Sequence, residues 1–93
     1  MTKKIALITG ATSGIGEATS RLLAKNNFDL IICGRREARL KKLQQELSKL
    51  TEVFTLEFDV RDRDEVNKKI SSLPDRWKQV DILINKEGLT KKK

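Results

Sequence analysis

Polar and apolar positions along this chain follow two rhythms, one of strands and one of helices. Ile5-Ala6-Leu7-Ile8 is an unbroken apolar run, as expected of a strand buried on both faces in a parallel sheet. Ile15, Ala18, Thr19, Leu22 and Leu23 then recur at helical spacing, with Glu17, Arg21 and Lys25 opposite, which predicts an amphipathic helix laid on that sheet. Asn26 and Asn27 suit its end, and Phe28 through Cys33 reads as a second strand closed by Gly34-Arg35-Arg36. Leu40, Leu43, Leu47 and Leu50 repeat at intervals of three and four among charges, giving a second helix of about three turns. Its leucine stripe suits packing on the sheet better than a coiled coil in so short a segment.

Val53, Phe54, Leu56 and Phe58 predict a third strand. Glu52, Thr55 and Glu57 alternate outward, as on an edge with one partly wet face. Asp62 and Glu65 have capping-box spacing, and Val66, Ile70, Leu73 and Trp77 extend a third helical face. Pro74 interrupts that face, so Trp77 belongs either to this helix or to a separate turn covering the end of the core. Its role is read as structural rather than as nucleotide stacking. Val80 through Asn85 reads as a fourth strand, and Lys86 through Thr90 as polar and loosely patterned.

Between the first strand and first helix lies Thr9-Gly10-Ala11-Thr12-Ser13-Gly14-Ile15-Gly16. Gly10 permits a sharp turn, Gly14 the close approach of a pyrophosphate, and Gly16 tight packing of the helix on the sheet. Unpaired N–H groups of the helix's first turn point at any anion held there. The spacing Gly-x-x-x-Gly-x-Gly is one residue longer than the commoner dinucleotide fingerprint, so a turn whose glycines serve packing alone remains the alternative.

Right-handed crossovers convert this order into an α/β fold, half of a Rossmann-like three-layer architecture. It has a parallel four-stranded sheet of predicted order 3-2-1-4, with the glycine turn where the order reverses. Residues 1–90 make one domain and 91–93 a polybasic tail. Two helices cover one sheet face and the third helix alone the other, leaving the fourth strand as an apolar edge. A homodimer through that edge or the under-covered face is expected unless the charged tail suppresses it.

Composition changes this picture little. The 93 residues with 38% hydrophobic content suffice for one small core. Lys91, Lys92 and Lys93 supply three of the net +7 charges, and acidic residues are interspersed elsewhere, which argues against a nucleic-acid face. No apolar run has membrane-spanning length, and the first apolar run is too short for a secretory signal. The single cysteine, Cys33, reads as a buried small apolar residue; a reduced cytoplasmic setting follows, with no metal site.

From Lys4 to Asn85 these residues resemble the N-terminal half of the short-chain dehydrogenase/reductase family. The resemblance implies that Thr9, Gly10, Thr12, Ser13, Gly14, Ile15 and Gly16 belong to a turn that binds the cofactor pyrophosphate. Arg35, with Arg36 beside it, stands where NAD-preferring relatives carry Asp and looks like the receptor of the NADP 2′-phosphate. Asp59 and Val60 look like the pair lining the adenine pocket. Asn85 and Gly88 match the first Asn and the Gly of the family's Asn-Asn-Ala-Gly motif. Charge supports part of this assignment, since an Asp would repel the phosphate that an Arg fork accepts. Arg35 and Arg36 as a solvated helix start, and Asp59 as a plain strand-end acceptor, are the alternatives.

Lys86 and Glu87 depart from the motif, and Glu87 would repel a nearby pyrophosphate. The family's catalytic Ser and Tyr-x-x-x-Lys pair belong to a later part of the fold, and these 93 residues hold no Tyr and no His. On this reading the chain is a non-catalytic, autonomously folding fragment of engineered origin that requires no cofactor and leaves weak NADP binding open. The alternatives are a weak NADP or adenosine-phosphate binding module, or a half that complements a missing C-terminal half.

Overall fold

The structure, a computed structural model, describes residues 3–12, 14–59, 61–85, 88 and 89. β1 (Ile5–Ile8) feeds α1 (Gly14–Lys25), followed by β2 (Asp29–Gly34), α2 (Glu37–Leu47), β3 (Val53–Glu57), α3 (Arg63–Ser71), β4 (Ile82–Asn85) and β5 (Gly88–Leu89). A 3₁₀ turn over Asp75–Lys78 separates α3 from β4. β1 pairs in parallel with β2, Leu7 opposite Ile31, and with β4, Leu7 opposite Leu83. β3 pairs in parallel with β2, so the four parallel strands stand in the expected order 3-2-1-4.

Alternation along the buried strands divides the core in two. Ala6, Ile8, Leu30, Ile32 and Val53 face α1 and α2, meeting Ala24, Leu40, Leu43 and Leu47. Ile5, Leu7, Ile31, Cys33, Leu56 and Phe58 face the other way and meet Leu73 and Trp77. Each fully buried Ile or Leu stabilises the fold by roughly 1.5–3 kcal/mol relative to exposure. The second face is covered thinly, because α3 buries no residue of its own and contributes only the partly buried Val66. Pro74 does end the third helical pattern, and Trp77 closes the core from the 3₁₀ turn, with the Arg76 guanidinium 4.3 Å from its ring centroid and Phe54 at 5.6 Å.

Several expectations need correction. α1 turns its smallest residues, Gly16, Ser20 and Ala24, to the sheet, leaving Ile15 and Leu22 exposed at 69% and 61%. Close helix–sheet approach selects small side chains there, while apolar periodicity points to the large ones. Leu50 lies beyond α2 and is exposed, so the leucine stripe is Leu40, Leu43 and Leu47. β3 is, as expected, the sheet edge with one partly wet face: Leu56 and Phe58 pack toward Trp77, while on the other face Val53 is buried, Thr55 half-buried and Glu57 exposed. β4 is not a bare edge, because β5 pairs antiparallel to it, Ile84 opposite Leu89.

The N-terminal ends of the strands are joined by a polar network that the apolar patterning did not reveal. The Asp29 carboxylate, 2% exposed as a residue, accepts hydrogen bonds from Thr51 Oγ1 at 2.6 Å, Glu52 N at 3.1 Å and Arg76 Nη2 at 2.5 Å. Burial pushes its pKa up, but these donors outweigh burial and hold it below the usual carboxylate value. Asp81 accepts from Ile5 N at 2.9 Å, tying the entry of β4 to β1.

Candidate functional site

At the opposite end of the sheet, the described residues selected from the sequence lie on the turns that follow the C-terminal ends of the parallel strands. Thr9 N donates to Ile84 O and Ala11 N to Cys33 O, each at 2.9 Å, so the turn after β1 is pinned to both neighbouring strands. Gly10 sits at φ 62°, a conformation costly for other residues. The remaining two turn glycines have opposite surroundings. A Cβ on Gly16 would lie 2.1 Å from Gly10 O and 2.9 Å from Ala11 Cα, whereas a Cβ on Gly14 would meet nothing within 4 Å. Gly16 is therefore a packing glycine, and Gly14 leaves open space at the start of α1.

That open space adjoins the positive end of a helix whose first-turn N–H groups have no intrahelical acceptors. Ser20 Oγ donates to Gly16 O at 2.8 Å, holding the first turn without using those N–H groups. Ile15 is the second residue of α1 and exposed, and Thr12 closes the turn beside Gly34, its Oγ1 3.4 Å from where a Gly34 Cβ would sit. The residues fit an anionic group by this geometry. Ser13 and Val60 lie outside the described residues, as does the side chain of Asn85, the last residue of β4.

Arg35 follows β2 and reaches toward Asp59, its Nη1 4.0 Å from Asp59 Oδ2. Asp59 is already engaged, since Arg61 donates through Nε at 3.1 Å, Nη2 at 2.9 Å and its backbone N at 3.0 Å. The Arg61 guanidinium above all holds the Asp59 carboxyl down to about 2. Arg61 was not singled out from the sequence, although a basic residue two positions after a strand-end Asp is a readable signal. Arg36 is the backbone cap of α2, extended at φ −114°, and its side chain makes no capping bond. Asp62 accepts from Glu65 N at 3.1 Å, but Glu65 Oε1 accepts from Asp59 N at 3.4 Å, so only half of the capping box forms.

Cys33 lies buried near the end of β2, and burial pushes its thiol well above the ordinary value, which suits packing and not nucleophilic attack. Among the described residues no cluster of His, Cys, Asp and Glu could hold a metal ion, and no helix is long and apolar enough to cross a membrane.

A family model described as short chain dehydrogenase matches residues 4–93. Over 85 residues, 91% of this chain, it is 47% identical to sulfoacetaldehyde reductase 2 of Chromohalobacter salexigens, covering 34% of that protein. It is 41% identical over the same length to the NADP-dependent 3-hydroxy acid dehydrogenase of Salmonella typhi, again covering 34%. The structure also superposes on an alcohol dehydrogenase from Thermococcus sibiricus complexed with 5-hydroxy-NADP, with TM-score 0.81 and 36% identity over 88% of this chain and 36% of that one. The chain thus spans about a third of the length of these relatives. These likenesses overturn the expectation of a non-enzyme, because the relatives are oxidoreductases. That expectation rested on residues missing from 93 positions, and a stretch matching one third of an enzyme carries no information about the other two thirds.

Proposed function

The chain belongs to the short-chain dehydrogenase family, and from that premise we propose that it provides the NADP(H)-binding portion of an oxidoreductase interconverting a hydroxyl and a carbonyl group. In this reading the turn from Thr9 to Gly16, with the backbone N–H groups of Gly14, Ile15 and Gly16, takes the pyrophosphate. Thr12 lines its mouth, Arg35 and Arg36 favour the 2′-phosphate over a bare ribose hydroxyl, and Asp59 borders the adenine side, while the roles of Ser13, Val60 and the Asn85 side chain rest on the resemblance alone. Bound NADP(H) supplies the hydride, while this chain's residues bind and orient it. The observation that carries the reading is the contrast between Gly14, open where an anion would approach, and Gly16, closed against the turn.

Half a site buries half a ligand, so affinity near the millimolar range is expected of the isolated chain. Calorimetric titration with NADP and NAD tests it: NADP binding more tightly supports the reading, and equal or undetectable binding of both refutes it. We further propose that the chain folds on its own and that copies associate through the thinly covered α3 face, where Leu83 and Phe54 are only partly buried. Mass measurements across a concentration series test the association, with a constant monomer mass contradicting it.

A further inference from the structure

The second core face is closed by a segment that contributes little apolar material of its own. Between Arg63 and Lys78, α3 buries none of its nine residues, and only Leu73 and Trp77 enter the core, with Val66 partly buried beside them. The cluster they join holds Ile31, Cys33, Leu56 and Phe58 of the sheet side. Polar ties fix the segment near its two ends. Near the start, Glu65 Oε1 accepts from Asp59 N over a long 3.4 Å. Near the end, Arg76 Nη2 donates to the Asp29 carboxylate and lies 3.2 Å from Glu52 Oε1, while the same guanidinium sits 4.3 Å from the Trp77 ring centroid. Asp29 is buried and held by Thr51 and by Glu52 N, whereas the Arg76 side chain is half exposed. The carboxylate is therefore the fixed part and the guanidinium the movable one.

We propose that the segment from Arg63 to Lys78 is a lid that opens as a unit while the rest of the fold stays closed, and that the bond between Arg76 and Asp29 is its latch. The chain is firmly held on either side of the lid. Phe58 N donates to Gly34 O at 2.9 Å upstream, and downstream Asp81 is bonded to Ile5 in both directions, at 2.8 and 2.9 Å. Opening withdraws Leu73 and Trp77 from the sheet but leaves intact the first core face, with Ile8, Leu40, Leu43 and Leu47, and the pairing of β2 with β1 and β3. It exposes only part of the buried apolar surface, so its free energy lies below that of global unfolding. Cys33, the one cysteine of the chain, belongs to the face that the lid covers and reports the opening.

The test measures the rate at which a thiol reagent labels Cys33 across a denaturant series, at a protein concentration low enough to keep the chain monomeric. Global unfolding is followed in parallel by far-ultraviolet circular dichroism. In the wild-type protein, labelling without denaturant is expected to exceed by about tenfold or more the rate that global unfolding allows, and to rise less steeply with denaturant. Arg76→Ala is expected to speed labelling roughly fivefold to thirtyfold, the loss of a charge-assisted bond discounted for its half-exposed donor, and Arg76→Lys to speed it less. Ile8→Val, on the opposite core face, is expected to lower the global midpoint and leave labelling without denaturant unchanged. Wild-type labelling that matches global unfolding in rate and denaturant dependence overturns the lid, as does labelling that accelerates in Ile8→Val in step with its lost stability. Labelling unmoved by both Arg76 variants overturns the latch.

Discussion

Placing the same methyl group on Gly14 and on Gly16 separates the two roles assigned to the turn. Both residues lie in the first turn of α1, and alanine there gains up to about 1 kcal/mol of helix propensity over glycine. At Gly14 nothing opposes that gain, because the new Cβ meets no atom within 4 Å. At Gly16 the Cβ falls 2.1 Å from Gly10 O, and the obstructing atoms are backbone, in a turn pinned at Thr9 and Ala11. Relief requires lifting α1 from the sheet or distorting the turn, an overpacking cost of about 1–3 kcal/mol or more. For a domain of this size 1 kcal/mol shifts Tm by roughly 4–8 °C. Gly14→Ala should therefore raise Tm by a few degrees, and Gly16→Ala should lower it by about 4–24 °C. Thermal unfolding followed by far-ultraviolet circular dichroism reads both. Gly14→Ala should also weaken nucleotide binding despite its greater stability, since the methyl occupies the anion's approach. Equal Tm values for the two variants, or nucleotide affinity undiminished in Gly14→Ala, would refute the division of labour.

Other outcomes follow from the same packing and hydrogen bonds. Asp29→Ala strands the Thr51 hydroxyl and the Glu52 N–H and leaves Arg76 without its buried partner, so stability should fall by about 2–4 kcal/mol in chemical denaturation; a loss below 0.5 kcal/mol would mean that the network is incidental. Asp29 and Asp59 both have folded pKa values below the ordinary carboxylate value, so their contributions are full above about pH 4 and are lost as pH falls through the folded values, for Asp59 between about 4 and 2. Denaturation midpoints measured from pH 6 to pH 2 should drop on acidification, less steeply in Asp59→Asn. Cys33 should react with a thiol reagent only as fast as the protein opens, so the labelling rate should rise with denaturant; immediate labelling of the native protein would contradict its burial.

The parallel strands were legible because each central one is covered on both faces, and an unbroken run such as Ile5–Ile8 or Leu30–Cys33 has few other readings. The positions of the turn glycines and of Arg35 and Asp59 after their strands were legible for a local reason, since such residues announce strand ends. What escaped was decided by contacts between distant residues. The α1 face was misassigned because hydropathy weights Ile15 and Leu22 above Gly16 and Ser20, while close packing on a sheet rewards the reverse. Asp29 and Arg76 are 47 positions apart, so no spacing rule joins them. β5 is two residues long and has no periodicity to detect.

The central claim is that the turn after β1 remains an anion-binding cradle selective for the phosphorylated dinucleotide. Titrating the isotopically labelled chain with NADP and, in parallel, with NAD tests this most directly. Progressive amide shifts at Gly14, Ile15 and Gly16 are expected with both nucleotides, with tighter binding of NADP accompanied by shifts around the start of α2. Unmoved resonances at those three glycine-turn positions, up to nucleotide concentrations of about 10 mM, would contradict it.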